Sequence, residues 1–210
     1  MTSETLTRTE AERDGIQQVL QGVRELYADA PELGKAALER AAVSFTEELA
    51  AAAKRQLQQQ SAGRIGAREG KVSELTVIVP FAEGGAKRLR GLLKVLGGSF
   101  AGADLVGTVH DMRFVFLDND TKLLFCTAYD GEWDAYIDDF ATKIPDAMDL
   151  LFCNGVGYPG IHSPSVKDWI VAHQIPALSW YVANPNLTVA ETRRLEKVGK
   201  AVEEFLDQVG

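Results

Sequence analysis

The spacing of hydrophobic positions changes near residue 65. Before that point Ile16, Val19, Leu20, Val23, Leu26 and Tyr27 recur at helical intervals, and residues 10–59 read as helix interrupted at Pro31. The second half of this stretch sets Leu38, Ala41, Ala42, Phe45, Leu49 and Ala52 on one face, in a background of strong helix formers. Its Ala-rich stripe suits close packing on the main domain or on a second subunit. The polar face is not basic enough for a membrane-surface helix. Ser61–Ser73 carries three glycines and no periodicity, and reads as a linker. The expected division is therefore an N-terminal helical hairpin with the start of the linker over 1–65, and a main domain over 66–210.

Past the linker, Leu75–Val79 is a short β-branched run expected as a buried strand, ended by Pro80. Glu83–Leu96 predicts a helix with its leucines inward. Thr108–Leu117 and Lys122–Ala128 alternate with period two around Asp118-Asn119-Asp120-Thr121, which predicts a hairpin. Glu132–Lys143 predicts a helix and Leu150–Cys153 a further strand. That order, strand–helix–strand–strand–helix–strand, is the ferredoxin-like arrangement. The remainder partly echoes it, with a short helix over Ser165–His173, an aromatic strand over Ala177–Ala183 and a long helix over Thr188–Gln208. The last opens on the capping box Thr188–Glu191 and should turn Leu195, Val198, Val202, Phe205 and Leu206 inward. The fold class expected is α+β, a tandem ferredoxin-like antiparallel sheet of the α+β-barrel kind behind a helical hairpin.

Charge and composition narrow the partners. A net charge of −8 argues against nucleic acid. No apolar run reaches the length of a spanning helix. The polar start MTSETLTRTEAERD lacks a secretory pattern, and Cys126 and Cys153 lie in apolar runs that suggest reduced, buried thiols. The expectation is a cytoplasmic, homo-oligomeric protein with a small-molecule ligand.

Reactive side chains concentrate in GTVHDMRFVFLDND…LLFCTAYDGEWDAYIDDF. This run resembles a bacterial family with an H-x-x-R-[FW] strand followed by a YDG-x-W-x-x-Y helix start. That family in turn resembles the α+β-barrel superfamily of dye-decolorising peroxidases, chlorite dismutases and haem-degrading monooxygenases. The likeness covers about residues 75–208 and leaves the N-terminal helices unmatched. The peroxidase signature GxxDG has no faithful copy; Tyr129-Asp130-Gly131 is a fragment of it. The resemblance implies a haem-dependent or cofactor-free oxidoreductase acting on a small aromatic or apolar substrate.

Residue by residue, two readings stay open. Strand alternation puts His110 with Met112, Phe114 and Phe116, either as a core histidine or in an apolar pocket able to hold a planar cofactor. Arg113 falls on the opposite face unless a bulge intervenes, and would pair with Asp111 or Asp130. Asp130 fits the N-cap of the helix at 132–143, or a proton carrier beside Tyr129. His162, in a Gly/Pro-rich loop, is a surface residue or an axial ligand. Asp134 and Asp138 form a solvated face or a partial cation site, with no third ligand in sight. In the catalytic reading His110, Arg113, Tyr129 and Asp130 act, and His110, His162, Met112, Trp133 and Tyr158 line a haem or substrate pocket over the sheet. In the alternative the chain is a non-catalytic ligand-binding or accessory protein that oligomerises through its N-terminal helices.

Overall fold

A computed structural model describes residues 3–42, 59–97 and 102–209. The chain divides into two compact units, Met1–Gln58 and Gln59–Gly210, so residues 59–65 go with the larger one.

The smaller unit contains the expected hairpin. Helix α1 spans Ser3–Leu26, and α2 covers residues 32–42. Pro31 turns the chain: with no N–H of its own it starts α2 by accepting from Gly34 N (2.7 Å) and Lys35 N (3.2 Å). Leu20 and Leu38 are buried. Arg24 grips Glu39 with two nitrogens at 2.9 and 3.1 Å. Phe45, Leu49 and Ala52, expected on the second helix, lie outside the described residues.

The larger unit is α+β. Strands β1 (Gln59–Ser61), β2 (Ala67–Glu69), β3 (Val72–Pro80), β4 (Val109–Leu117) and β5 (Lys122–Asp130) form one open antiparallel sheet in the order β1-β2-β3-β5-β4. Helices α3 (Gly85–Val95) and α4 (Gly102–Val106) link β3 to β4, and α5 (Trp133–Lys143), α6 (Pro145–Phe152), α7 (Val166–His173) and α8 (Val189–Val209) follow β5. Because β5 is antiparallel to both β3 and β4, those two run parallel with β5 between them, which is a split βαβ. The β4–β5 hairpin falls where the alternation put it. Its turn holds Asp118, Asn119 and Asp120 at φ of 50°, 53° and 66°, a left-handed run that short polar side chains tolerate.

The sheet does not close into a barrel, and the second ferredoxin-like repeat is absent from the described residues. Leu150–Cys153, read as a strand, is the last turn of α6 with Cys153 as its C-cap, and the buried Met148, Leu151 and Phe152 are the inward face of a helix begun by Pro145. Four apolar residues in a row carry no period, so the run fitted either state. Ala177–Ala183 is irregular as well. The place of a fourth strand beside β3 is shared by β2, by one bridge from Val77 to Gln174, and by the Ile175 amide on Thr76 O at 2.8 Å. The supposed linker supplies the last residue of β1, all of β2 and the start of β3. At its Gly70 (φ 62°) a Cβ would stand 2.4 Å from Pro185 O, so only glycine fits.

One face of the sheet makes the core. Leu75, Val77 and Val79 of β3 and Leu123, Phe125 and Tyr129 of β5 are at most 4 % exposed. They pack with Leu89 of α3, with Trp133, Tyr136 and Phe140 of α5, and with Phe152. Each fully buried side chain of this size contributes ~1.5–3 kcal/mol. The other face carries Leu124, Cys126 and Ala128 half-buried, so Cys126 is not the core thiol expected, and Cys153 is exposed. Among the described residues, no helix is long and apolar enough to cross a membrane.

Candidate functional site

Two places gather the side chains that the sequence singled out. The first is a cavity between the sheet and helices α5, α6 and α7, walled by Leu75, Phe125, Tyr136, Phe152, Tyr158 and Trp169 among others. It is wholly apolar in character and holds about 30 Å³. Pockets for drug-sized ligands run to roughly 300–1,000 Å³. Of the six residues expected to line a pocket, Tyr158 does so; His110, Met112, Tyr129, Trp133 and His162 are not on its wall. A haem fits neither this volume nor this lining, which offers no imidazole.

The second place is the end of the β4–β5 hairpin. The pairing of β4 with β5 slips between Val109 and Asp111, so His110 is the bulged residue. The bulge removes His110 from the face of Met112, Phe114 and Phe116, which pack on the core as strand alternation demands. His110 Nε2 meets Asp130 Oδ1 at 2.7 Å. A carboxylate only accepts, so Nε2 carries the proton, and Nδ1 has no hydrogen-bond partner among the described residues. Asp130 does not cap α5, whose N-cap is Glu132. Its second oxygen instead accepts the Val189 amide of α8 at 3.0 Å, where the helix dipole favours negative charge. Asp130 thus joins the bulge to the root of α8, and with its side chain 12 % exposed it is well shielded from solvent.

The root of α8 is held a second time by the capping box that the sequence announced. Glu191 Oε2 accepts from Thr188 N (2.7 Å) and from the Thr188 hydroxyl (2.9 Å), while the Glu191 amide donates back to Thr188 Oγ1 at 3.1 Å. Lys71 Nζ lies 2.7 Å from Glu191. The lysine first, then the Thr188 backbone and hydroxyl, hold the Glu191 carboxyl down to about 2.

Other candidates are accounted for by structure. Arg113 pairs with Asp111 at 3.1 Å on the outer face, and both are well exposed. Trp133 is fully buried and donates from Nε1 to Gln174 Oε1 at 2.8 Å. Tyr158 donates to Asp149 Oδ1 at 2.8 Å, the oxygen that also takes the Ile161 amide, and burial followed by that bond raises its pKa. Tyr129 is fully buried and stacked on Tyr136 at 3.8 Å and 9°. Its hydroxyl has no partner of good geometry among the described residues: the Ser73 hydroxyl lies close enough to lower its pKa slightly but donates to Gly131 O at 2.6 Å. Burial, then the nearby Glu74 charge, pushes the Tyr129 phenol well above its ordinary value. Both phenols therefore stay protonated at neutral pH. His162 is exposed on the loop before α7. Asp134 and Asp138 are both neutralised by Lys167, at 2.9 and 2.7 Å, with Arg64 also on Asp134.

Three features escaped sequence reasoning. Glu74 is 4 % exposed and holds the amides of Ala67 (3.1 Å) and Ala177 (3.2 Å), tying two irregular segments to β3. Gln174 links Trp133 to the Ile65 carbonyl. Neither residue type announces such a role in a sequence. The third is α8, whose signal was legible but was turned the wrong way. Leu195, Val198, Val202, Phe205 and Leu206, expected inward, are each 50–60 % exposed, and Val209 beyond them is 64 % exposed.

Compared with known proteins, the chain matches no family model, no curated protein and no solved structure.

Proposed function

We propose that this protein acts by association rather than by turnover, as an accessory protein whose working surface is the apolar stripe of α8. The observation that carries this reading is the exposure of that stripe. Six large apolar side chains lie along one helix, each at least half open to solvent. A contiguous apolar surface of this kind is the usual mark of a binding site on a protein. The anchoring at its root adds support. Asp130, the Thr188–Glu191 box and Lys71 fix the first turn of α8, so the direction in which the helix leaves the sheet is set before docking. The oxidoreductase expectation needs a substrate pocket with His110, Tyr129 and Arg113 converging on it. Those residues lie respectively in an edge bulge, in the packed core and on the outer face.

The test is a photo-activated cross-linker placed at Val202 or at Lys200 of the full chain in cells. Covalent adducts at Val202 and none at Lys200 are expected. Equal yields at both positions would overturn the assignment of the apolar stripe as the docking face.

A further inference from the structure

We infer that the partner of α8 is a second copy of this chain, with the two α8 helices packed antiparallel about a two-fold axis near residues 200–201. The inference rests on the reading of α8 as an association surface and names its occupant. Three observations on one helix converge on it.

The first is period. Leu195, Val198, Val202, Phe205 and Val209 are spaced three, four, three and four apart. That is the 3.5-residue spacing of two helices packed on each other, with Leu206 beside the seam at its acidic end. All five positions are at least half exposed.

The second is charge. From Val189 to Lys200 the helix carries four basic residues (Arg193, Arg194, Lys197, Lys200) against Glu191 and Glu196. From Ala201 to Val209 it carries Glu203, Glu204 and Asp207 and no basic residue. A parallel pair would set acidic half against acidic half. An antiparallel pair sets the basic half of each helix along the acidic half of the other, a complementarity of whole helices carried mainly by residues outside the seam, and favourable under a two-fold operation.

The third is Gly199. A glycine inside a helix costs ~1 kcal/mol relative to alanine. Within one chain nothing demands it here, because a Cβ would meet no atom within 4 Å. In the heptad frame set by Leu195 and Val198, Gly199 and Ala201 flank the seam on opposite sides at its midpoint. That is where the two helix backbones come nearest in an antiparallel crossing, and small side chains there permit the short end of the interaxial range. Within the 21 residues of α8 the seam from Leu195 to Val209 is about 21 Å long.

The geometry is tested with Leu195→Cys and Phe205→Cys, each made in the full chain, mixed and oxidised, with disulfides located by peptide mass. In the antiparallel pair a residue 195 faces the partner's 205, whereas like positions stand about 15 Å apart along the axis. A 195–205 bridge in the mixture, and no 195–195 or 205–205 bridge in either variant alone, is the expected result. Like-with-like bridges would overturn the orientation, and no bridge at these sites together with a wild-type mass of 22.9 kDa would overturn self-pairing. The cross-linker at Val202 separates this inference from the one beneath it. An adduct of twice the chain mass supports both. An adduct of any other mass keeps the docking role of α8 and removes the second copy.

Discussion

Tyr129 and Tyr136 stack on each other in the core, yet removing their hydroxyls should have opposite effects. The Tyr129 oxygen is buried with no partner of good geometry among the described residues, and an unsatisfied buried hydroxyl costs ~1–3 kcal/mol. Tyr129→Phe keeps the ring against Tyr136 and deletes only the stranded group. Ser73 keeps its bond to Gly131 and loses only its contact with the phenol. A gain of ~1 kcal/mol is expected, at the lower end of the range because the vacated space is not refilled. The Tyr136 hydroxyl instead shares a 2.7 Å bond with Thr127 Oγ1 inside the core. Tyr136→Phe strands that threonine and should destabilise by ~1–3 kcal/mol. Urea unfolding followed by tryptophan fluorescence measures both, since Trp133, Trp169 and Trp180 all belong to the larger unit. In a unit of this size each kcal/mol moves the melting temperature by about 2–4 °C. Destabilisation by Tyr129→Phe equal to that of Tyr136→Phe would refute the reasoning, because it would mean the Tyr129 hydroxyl makes a bond in the folded protein.

Asp130→Ala removes the acceptor of both the His110 imidazole and the Val189 amide, and should cost ~1–3 kcal/mol, with faster amide exchange confined to the β4 bulge and the first turn of α8. His110→Ala should leave the Val189 amide protected, because Asp130 still accepts it; equal loss in both variants would show that the imidazole itself holds the helix. The Glu191 carboxyl titrates at about 2 when folded, against an ordinary value of 4.5. Its pKa is depressed by folding, so its stabilising effect is complete above 4.5 and is lost as pH falls toward 2. Amide exchange at Thr188 should accelerate across that window in the wild type, and Lys71→Met should move the midpoint upward; an unchanged midpoint would remove the lysine as the main cause.

The sequence was read correctly where two independent signals agreed. The β4–β5 hairpin had both alternation and a run of residues that accept left-handed backbone, and α8 had both a capping box and a periodic stripe. It was misread where one signal stood alone. Leu150–Cys153 offered only apolarity, and the decisive residue was Pro145, five positions upstream, which starts a helix. The segment Ala177–Ala183 is aromatic enough for a strand, but β2 takes most of the edge of β3 that it would have joined. At His110, strand period two was applied through a bulge, and one extra residue moved the imidazole from the Met112 face to Asp130. The α8 stripe illustrates a different limit. Periodicity tells that a face will be covered, and its 3.5-residue spacing hints at a helix as the cover, but whether that helix comes from the same chain is a matter of tertiary contact.

The central claim is that α8 is where this protein associates. The most direct measurement is the mass of the full chain by multi-angle light scattering, beside Val198→Glu/Val202→Glu. Both side chains are half exposed within one chain, so the fold should survive, its melting temperature falling only by the stabilisation that dimerisation supplies, while two apolar layers of the interface are lost, weakening association about 100-fold or more. A wild-type mass of twice 22.9 kDa and a variant mass of 22.9 kDa are expected. A wild-type dimer that persists unchanged in the variant would contradict the claim.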